Sequence, residues 1–492
     1  MPNKLKNLFI KVISSEYFWL IVIILGAFTV RLYKLNNPVA DWHSWRQADT
    51  ASVSKTYFEK GINLLLPQYH DISSIQTGFF NPHGYRMVEF PIYNALHAIL
   101  AKGLTFVSFD AAGRLVSIFS SLISCLIIFF LGKRFIGRWG GVLASFFFAF
   151  IPYNIYFSRV ILPEPLTVTF ALASILTFVI FIDKEKWAYL YLSGALFALA
   201  MLMKPYIGFY AVPLIYLAIK KYSLKGTFTN GKLLISFLIF VDIALLPFFF
   251  WRVWMNNFPS GIPYFEWAFN GDKIRFRPAF WRWIFIERLG KLILAVWGLP
   301  MFVYGIVSSK FKNYFIQFFL LGMFLYVSVV ATASVRHDYY QIFMVPAISL
   351  AMAAGSVHLI SSKETKRWLS VAMVVFATIM MLGGGAYQIK DFYQINHPEI
   401  IEAGKAVDRL TPKDALVIAP YNGDTAFLYQ TGRWGWPAVD TSFAKLIDER
   451  GADYYVSVNL GDADTKFITE NYQVVEKTDK YVIVNLHEAL TK

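Results

Sequence analysis

Residues 110–132 read DAAGRLVSIFSSLISCLIIFFLG, and from Leu115 to Gly132 no charged residue interrupts them. A helix that crosses a bilayer needs about 20 mostly apolar residues, so this stretch is long enough to span. Ten further runs of the same character lie near 17–33, 139–157, 162–182, 187–203, 205–222, 233–255, 290–308, 314–333, 341–361 and 368–388. Short segments of alternating polarity do not recur, which argues against a membrane barrel. The whole 492-residue chain agrees with a helical membrane protein: it is 57% hydrophobic, 18% aromatic and only 16% charged. In water such a chain would expose large apolar patches. Composition therefore excludes an ordinary cytosolic enzyme, a disordered chain and a nucleic-acid binder. The lone cysteine, Cys125, sits inside an apolar run, so neither a disulfide framework nor a cysteine metal site is available.

The net charge of +14 sorts along this map. The tail to residue 16 and the short segments near 133–138, 183–186, 220–232, 309–313 and 362–367 fall on one side and hold seventeen Lys and Arg; the short connections on the other side hold only Arg159, Lys204 and Arg336. Basic residues collect on the cytoplasmic side of short loops, so the N-terminus is expected inside. The first run lacks a small-residue cleavage site after it and reads as an anchor. The long segments 34–109, 256–289 and 390–492 are then all outside. No repeat of fixed period is visible. The expected architecture is an α-helical polytopic membrane protein of about eleven transmembrane helices over residues 1–389. A small extracytoplasmic α/β domain is expected over 390–492, with strands at 415–420, 454–459 and 481–486 and helical patterns near 398–410 and 441–450.

The outer segments carry the chemistry. The text around Asp41 to Ala51 is DWHSWRQADTA, where Ser44 and Gln47 form a capping-box pattern that predicts a helix ending at Gly61. His43, Arg46 and Asp49 are expected to converge above the membrane, although Arg46 and Asp49 are also spaced to pair on a helix surface. Residues 92–106 read as an amphipathic helix at the interface. Glu164 lies between Pro163 and Pro165, where an acid also suits a helix N-terminus. Lys204 and the sequence Arg336-His337-Asp338-Tyr339 fall at two further outer mouths. Asp41, Asp49, Glu89, Glu164, Lys204, Arg336 and His337 share one depth, and mixed acids and bases there suit a phosphate at headgroup level. The segment 256–289 interleaves Arg275, Arg277, Arg282 and Arg288 with Trp267, Trp281 and Trp283, which suits membrane lipids. A plain interfacial belt accounts for the same residues.

At these residues the chain resembles the GT-C superfamily of integral-membrane glycosyltransferases, and within it glycosyltransferase family 39, which includes protein O-mannosyltransferases and aminoarabinose lipid A transferases. WRQADTA (45–51), MVEFPIYNAL (87–96), SRVILPEPLTV (158–168), LAMLMKP (199–205) and RHDYYQIFMVPAISL (336–350) look like the family's successive motifs. The family usually has an Asp-Glu pair in the first loop. Here Asp41 is followed by Trp42 and Asp49 by Thr50, so either Asp inherits the role of base. The second acidic motif has Glu164 in place of Asp.

The resemblance implies transfer of a hexose or pentose from a polyprenyl phosphate to a hydroxyl of a lipid, glycan or protein, outside the plasma membrane, with inversion. Its phosphate leaves without protonation, and the site supplies a base and positive charge. Asp49, Asp41 and Glu164 are the catalytic candidates it implies. His43, Arg46, Glu89, Arg159, Lys204, Arg336, His337 and Tyr339 are those for substrate and phosphate. It admits a divalent cation at Glu89 and names no other cofactor. The rival readings are a lipid or glycan flippase and a non-catalytic family member.

Overall fold

The computed structural model describes residues 11–307 and 313–490. Lys4, Lys6, Lys310 and Lys312, counted above on the basic side, lie outside them. Among the described residues five helices are long and apolar enough to cross a membrane: Phe109–Phe135, Glu164–Lys184, Gly231–Met255, Asp338–Ser361 and Arg367–Tyr393. Arg138–Phe150, Trp187–Met203 and Phe315–Val329 are shorter apolar helices.

Several of the expected runs are broken, and the breaks have local causes. The run 139–157 stops at Phe150 and restarts as Pro152–Phe157, because proline has no N–H to continue the ladder. The run 205–222 opens with a tight 3₁₀ turn, Pro205–Tyr210, before Ala211–Tyr222. The run 290–308 contains Ala295 and Val296 in left-handed backbone and resumes as Leu299–Val307.

Helices Phe109–Phe135 and Asp338–Ser361 form the middle of the bundle, with 72% and 83% of their apolar windows buried, whereas Gly231–Met255 and Arg367–Tyr393 form its rim at 17% and 22%. Asp242 lies on the exposed face of that rim helix. Small residues permit close approach. A Cβ on Gly305 would meet the Ala351 carbonyl at 1.8 Å. Polar contacts such as Ser124–Thr169 (2.9 Å) and Ser174–Ser193 (3.0 Å) join the inner helices.

The two ends of the bundle differ. One carries short connections with pairs such as Lys133–Glu16 (3.0 Å) and Arg134–Asp183 (2.7 Å). At the other, the three long segments meet: the Met87 N–H donates to Gly261 (2.7 Å), Tyr264 to Gln76 (3.3 Å) and Ile72 to Gly435 (2.9 Å).

The C-terminal stretch contains a five-stranded sheet of order β2-β1-β3-β5-β4. Its strands are β1 Leu416–Ile418, β2 Trp434–Trp436, β3 Tyr454–Ser457, β4 Tyr472–Lys477 and β5 Val482–Ala489. The pairs β2–β1 and β1–β3 are parallel; β3–β5 and β5–β4 are antiparallel. β2 and β4 escaped the sequence reading because one is only three residues and the other is largely exposed. The helical pattern near 441–450 is a single wide turn, Lys445–Glu449. An isolated bridge between Asp71 and Gly435 attaches the first long segment beside β2.

Candidate active site

The helix Ser44–Lys60 forms at the predicted place, but not by the predicted cap. Its N-cap is His43, in left-handed backbone with φ 56, so Ser44 is already inside the helix. The Gln47 side chain is used elsewhere: it donates to Asp41 Oδ1 (2.6 Å) and to the Trp42 carbonyl (3.1 Å). The helix is buried along most of its length and presents Arg46 and Asp49 to the segment 86–91.

Four charged residues from four parts of the chain converge beside it. Glu89 accepts from Arg46 and lies 2.6 Å from Lys204 Nζ, which is itself 3.2 Å from Glu164. Lys204 immediately follows the helix Trp187–Met203, and Glu164 begins the helix before it, Glu164–Lys184. Arg46, Lys204 and Glu164 are buried. Burial by itself would push the Glu89 carboxyl up; the Arg46 and Lys204 charges outweigh it and hold the group down at about 2. Asp49 is also buried: its Oδ2 accepts from Arg86 (2.6 Å) and its Oδ1 from the Thr425 hydroxyl (2.7 Å).

Arg46, Arg86, Glu89 and Lys204 form the charged wall of a cavity of about 540 Å³. Aromatic side chains supply much of the rest of its lining, among them Trp45, Tyr206, Tyr264, Phe265, Trp267, Tyr339 and Tyr340. Arg252, at the end of the rim helix Gly231–Met255, completes the lining and stacks on Phe265 at 4.7 Å. Among the described residues Arg252 makes no ion pair with an acid. Asp49, Arg46 and Glu89 also share a smaller adjoining crevice with Asn94 and Pro163. The chamber can thus take a long apolar ligand with an anionic head: aromatic faces for the body, Arg46, Arg252 and Lys204 for the charge.

The remaining candidates lie elsewhere. Asp41 faces Arg159 (3.6 Å) and Gln47, away from the cavity wall. Arg159 spends its other contact on the Lys34 carbonyl (2.7 Å). His43 Nε2 is 2.5 Å from Asp338, which also accepts from the Trp42 indole (3.1 Å). His337 packs against Trp45 and Trp267 (5.5 and 5.4 Å), and burial, with the nearby His43, pushes it down to about 4. It lines neither the large cavity nor the adjoining crevice. Tyr339 lines the cavity; Arg336 is exposed and reaches only Asp272, at 3.9 Å.

Arg46 and Lys204 both sit on Glu89 Oε1, and two cations there repel a third, so Glu89 is a poor metal ligand. Among the described residues no group of three or more His, Cys, Asp or Glu is placed to hold an ion.

Sequence reasoning missed Arg86, Arg252, Asp338 and Thr425 as members of these clusters. Arg86 stands three residues before Glu89 and was legible in principle. Arg252 reads as an ordinary snorkelling residue at the end of an apolar run. Thr425 leaves no local signal, since its partner lies 376 residues away.

The fold is similar to that of solved membrane glycosyltransferases of the class the motifs resemble. Residues 93–251 match the family model described as dolichyl-phosphate-mannose-protein mannosyltransferase. The fold is similar to that of ArnT from Cupriavidus metallidurans bound to undecaprenyl phosphate, with a TM-score of 0.63, 12% identity, and coverage of 95% of this chain and 98% of that one. It is also similar to an Archaeoglobus fulgidus oligosaccharyltransferase (TM-score 0.55, 12% identity, 90% and 68% covered). Mycobacterial arabinofuranosyltransferase AftD matches with TM-score 0.52 and 12% identity over 95% of this chain and 41% of its own. No curated protein matches the chain by sequence.

Proposed function

We propose that this protein transfers a sugar from a polyprenyl phosphate to an acceptor hydroxyl at the outer face of the plasma membrane, with inversion at the anomeric carbon. The observation that carries this reading is the buried Arg46–Glu89–Lys204–Glu164 cluster on the wall of an aromatic chamber of about 540 Å³. A polyprenyl chain suits the aromatic walls, and its phosphate suits Arg46, Arg252 and Lys204. The donor's phosphodiester brings one negative charge, and Arg252, which has no acidic partner among the described residues, offsets it while Arg46 and Lys204 stay shared with Glu89 and Glu164. The undecaprenyl phosphate in ArnT supports a lipid-linked donor of this class. Meeting of the three long segments at the end opposite the basic connections supports the sidedness.

Asp49 is the assigned base. It shares the crevice with Arg46 and Glu89, whereas Asp41 is engaged with Arg159. The acceptor hydroxyl gives its proton to Asp49 as its oxygen attacks the anomeric carbon; the carbon–oxygen bond to phosphate breaks, and polyprenyl phosphate leaves as the anion.

The test is release of free polyprenyl phosphate in proteoliposomes supplied with a panel of polyprenyl-phosphate sugars and a membrane extract as acceptor source. Wild type releases it from at least one donor, and Asp49→Asn, folded, releases roughly a hundredfold less. No release from any donor by folded wild type sinks the reading and favours transport or a non-catalytic role. Loss in Asp41→Asn but not in Asp49→Asn moves the base to Asp41.

A further inference from the structure

The C-terminal stretch docks on the first long segment at several points. Ser74 donates through both its N–H and its hydroxyl to Asp440 Oδ2 (2.7 Å each), the Gln430 amide donates to the Val39 carbonyl (3.0 Å), and the Tyr429 hydroxyl donates to Asp110 Oδ1 (2.6 Å). These bonds would hold any lid or docking module in place. One further contact is of another kind. The turn Tyr421 to Thr425 reaches past the docking surface into the site: Gly423 lines the large cavity, and Thr425, buried, puts its hydroxyl 2.7 Å from Asp49 Oδ1. The backbone is shaped for this reach. Asn422 and Gly423 are both left-handed (φ 54 and 79), and Asp424 then accepts from the Ala426 N–H (2.7 Å), which starts the helix Thr425–Thr431 at the point of contact.

We infer that the C-terminal segment completes the active site, with Thr425 as a positioning residue that orients the Asp49 carboxylate. The inference rests on the assignment of Asp49 as base. Each oxygen of that carboxylate has one donor, Arg86 from the first long segment and Thr425 from the C-terminal segment. Two donors on opposite oxygens fix the plane of the carboxylate; one leaves it free to rotate about its last bond. The Trp45 carbonyl, 3.3 Å from the same hydroxyl, keeps Thr425 aligned with the start of the first-loop helix. The docking bonds named above do not touch Asp49, so Thr425 is not needed to hold the two segments together. An acceptor therefore meets a base whose geometry depends on a residue outside the membrane half of the chain.

The experiment compares Thr425→Val, which removes the hydroxyl at nearly constant volume, with Thr425→Ser, which keeps it, and with Gln430→Ala, which loosens docking alone. The full-length protein is used. In the release assay Thr425→Val lowers kcat roughly tenfold to a hundredfold with the donor KM little changed, and Thr425→Ser recovers it. Gln430→Ala lowers the melting temperature and leaves kcat per folded molecule in place. A readout free of turnover is the infrared carboxylate band isolated by subtracting Asp49→Asn from each protein. That band shifts in Thr425→Val and returns in Thr425→Ser. Unchanged kcat and an unmoved band in folded Thr425→Val overturn the inference. An equal loss in Thr425→Ser and Thr425→Val also overturns it. A wild type without turnover sinks the transfer reading instead, while the band still decides whether Thr425 orients Asp49.

Discussion

Two clusters of buried charge lie close together here and solve burial in different ways. At the base of the first long segment, Arg31, Arg114 and Arg159 are fully buried with one carboxylate, Asp41, among them. Their guanidinium groups are taken up mostly by main-chain carbonyls. Arg31 donates to Ala149 (2.9 Å), Arg114 to Leu35 (2.7 Å) and Arg159 to Lys34 (2.7 Å). In the second cluster Arg46, Lys204, Glu89 and Glu164 contact one another beside a chamber. Arginines bonded to carbonyls shape a loop and have no reason to let go. Cations bonded to carboxylates next to empty space can exchange partners with an incoming anion. Burial and charge do not mark a site by themselves; the marks are the kind of partner and the space beside it.

The largest expected effect breaks the second cluster. Lys204→Met leaves Glu89 and Glu164 with Arg46 alone, and release of polyprenyl phosphate falls roughly a hundredfold or more. Breaking a buried pair also costs about 3–5 kcal/mol of stability, so turnover is normalised to folded protein by size-exclusion chromatography. The first cluster gives the opposite outcome. Asp41→Asn strands the buried Arg159 and costs about 3 kcal/mol in thermal unfolding, with turnover per folded molecule close to wild type.

A smaller effect contrasts two buried acids. Glu89, held at about 2 against an ordinary 4.5, contributes stability that is present above pH 4.5 and lost as pH falls toward 2. Asp424 makes no ion pair among the described residues; burial, with the Asp49 charge adding to it, pushes it up to about 6 from 3.8. Its contribution is present below pH 3.8 and lost as pH rises through 6. Asn caps a helix as well as Asp does. Asp424→Asn is therefore expected to stabilise the protein by roughly 1–3 kcal/mol at pH 7, a gain that disappears by pH 4 in melting curves. The smallest effect is at Arg336, whose exposed side chain reaches only Asp272: Arg336→Gln changes stability by no more than about 0.5 kcal/mol and leaves turnover near wild type.

Much of this was legible in the sequence because its signals are local. Apolar runs, basic connections and short motifs are read within twenty residues, and they led to the helical membrane architecture and to Arg46, Glu89, Glu164 and Lys204. Helix interruptions at Pro152 and Pro205 were also written locally, but hydropathy alone averages over them. Partnerships were not legible. Asp41 and Asp49 look alike in sequence, and only the fold gives one to Arg159 and the other to Arg86 and Thr425. Arg336 and Lys204 both read as mouth residues in the sequence, yet one is exposed and the other buried. The Ser44 cap failed because Gln47 is held elsewhere: its Oε1 accepts from the Ile161 N–H (3.3 Å) and its amide donates to Asp41 (2.6 Å).

The donor's phosphate is expected at the cavity-side cluster and not at the loop-base cluster. Binding of a polyprenyl phosphate to the purified protein, followed by native mass spectrometry, tests it without any sugar or acceptor. Wild type and Arg114→Met are expected to retain the lipid, and Lys204→Met to lose it. Retention by folded Lys204→Met together with loss in folded Arg114→Met would contradict the account.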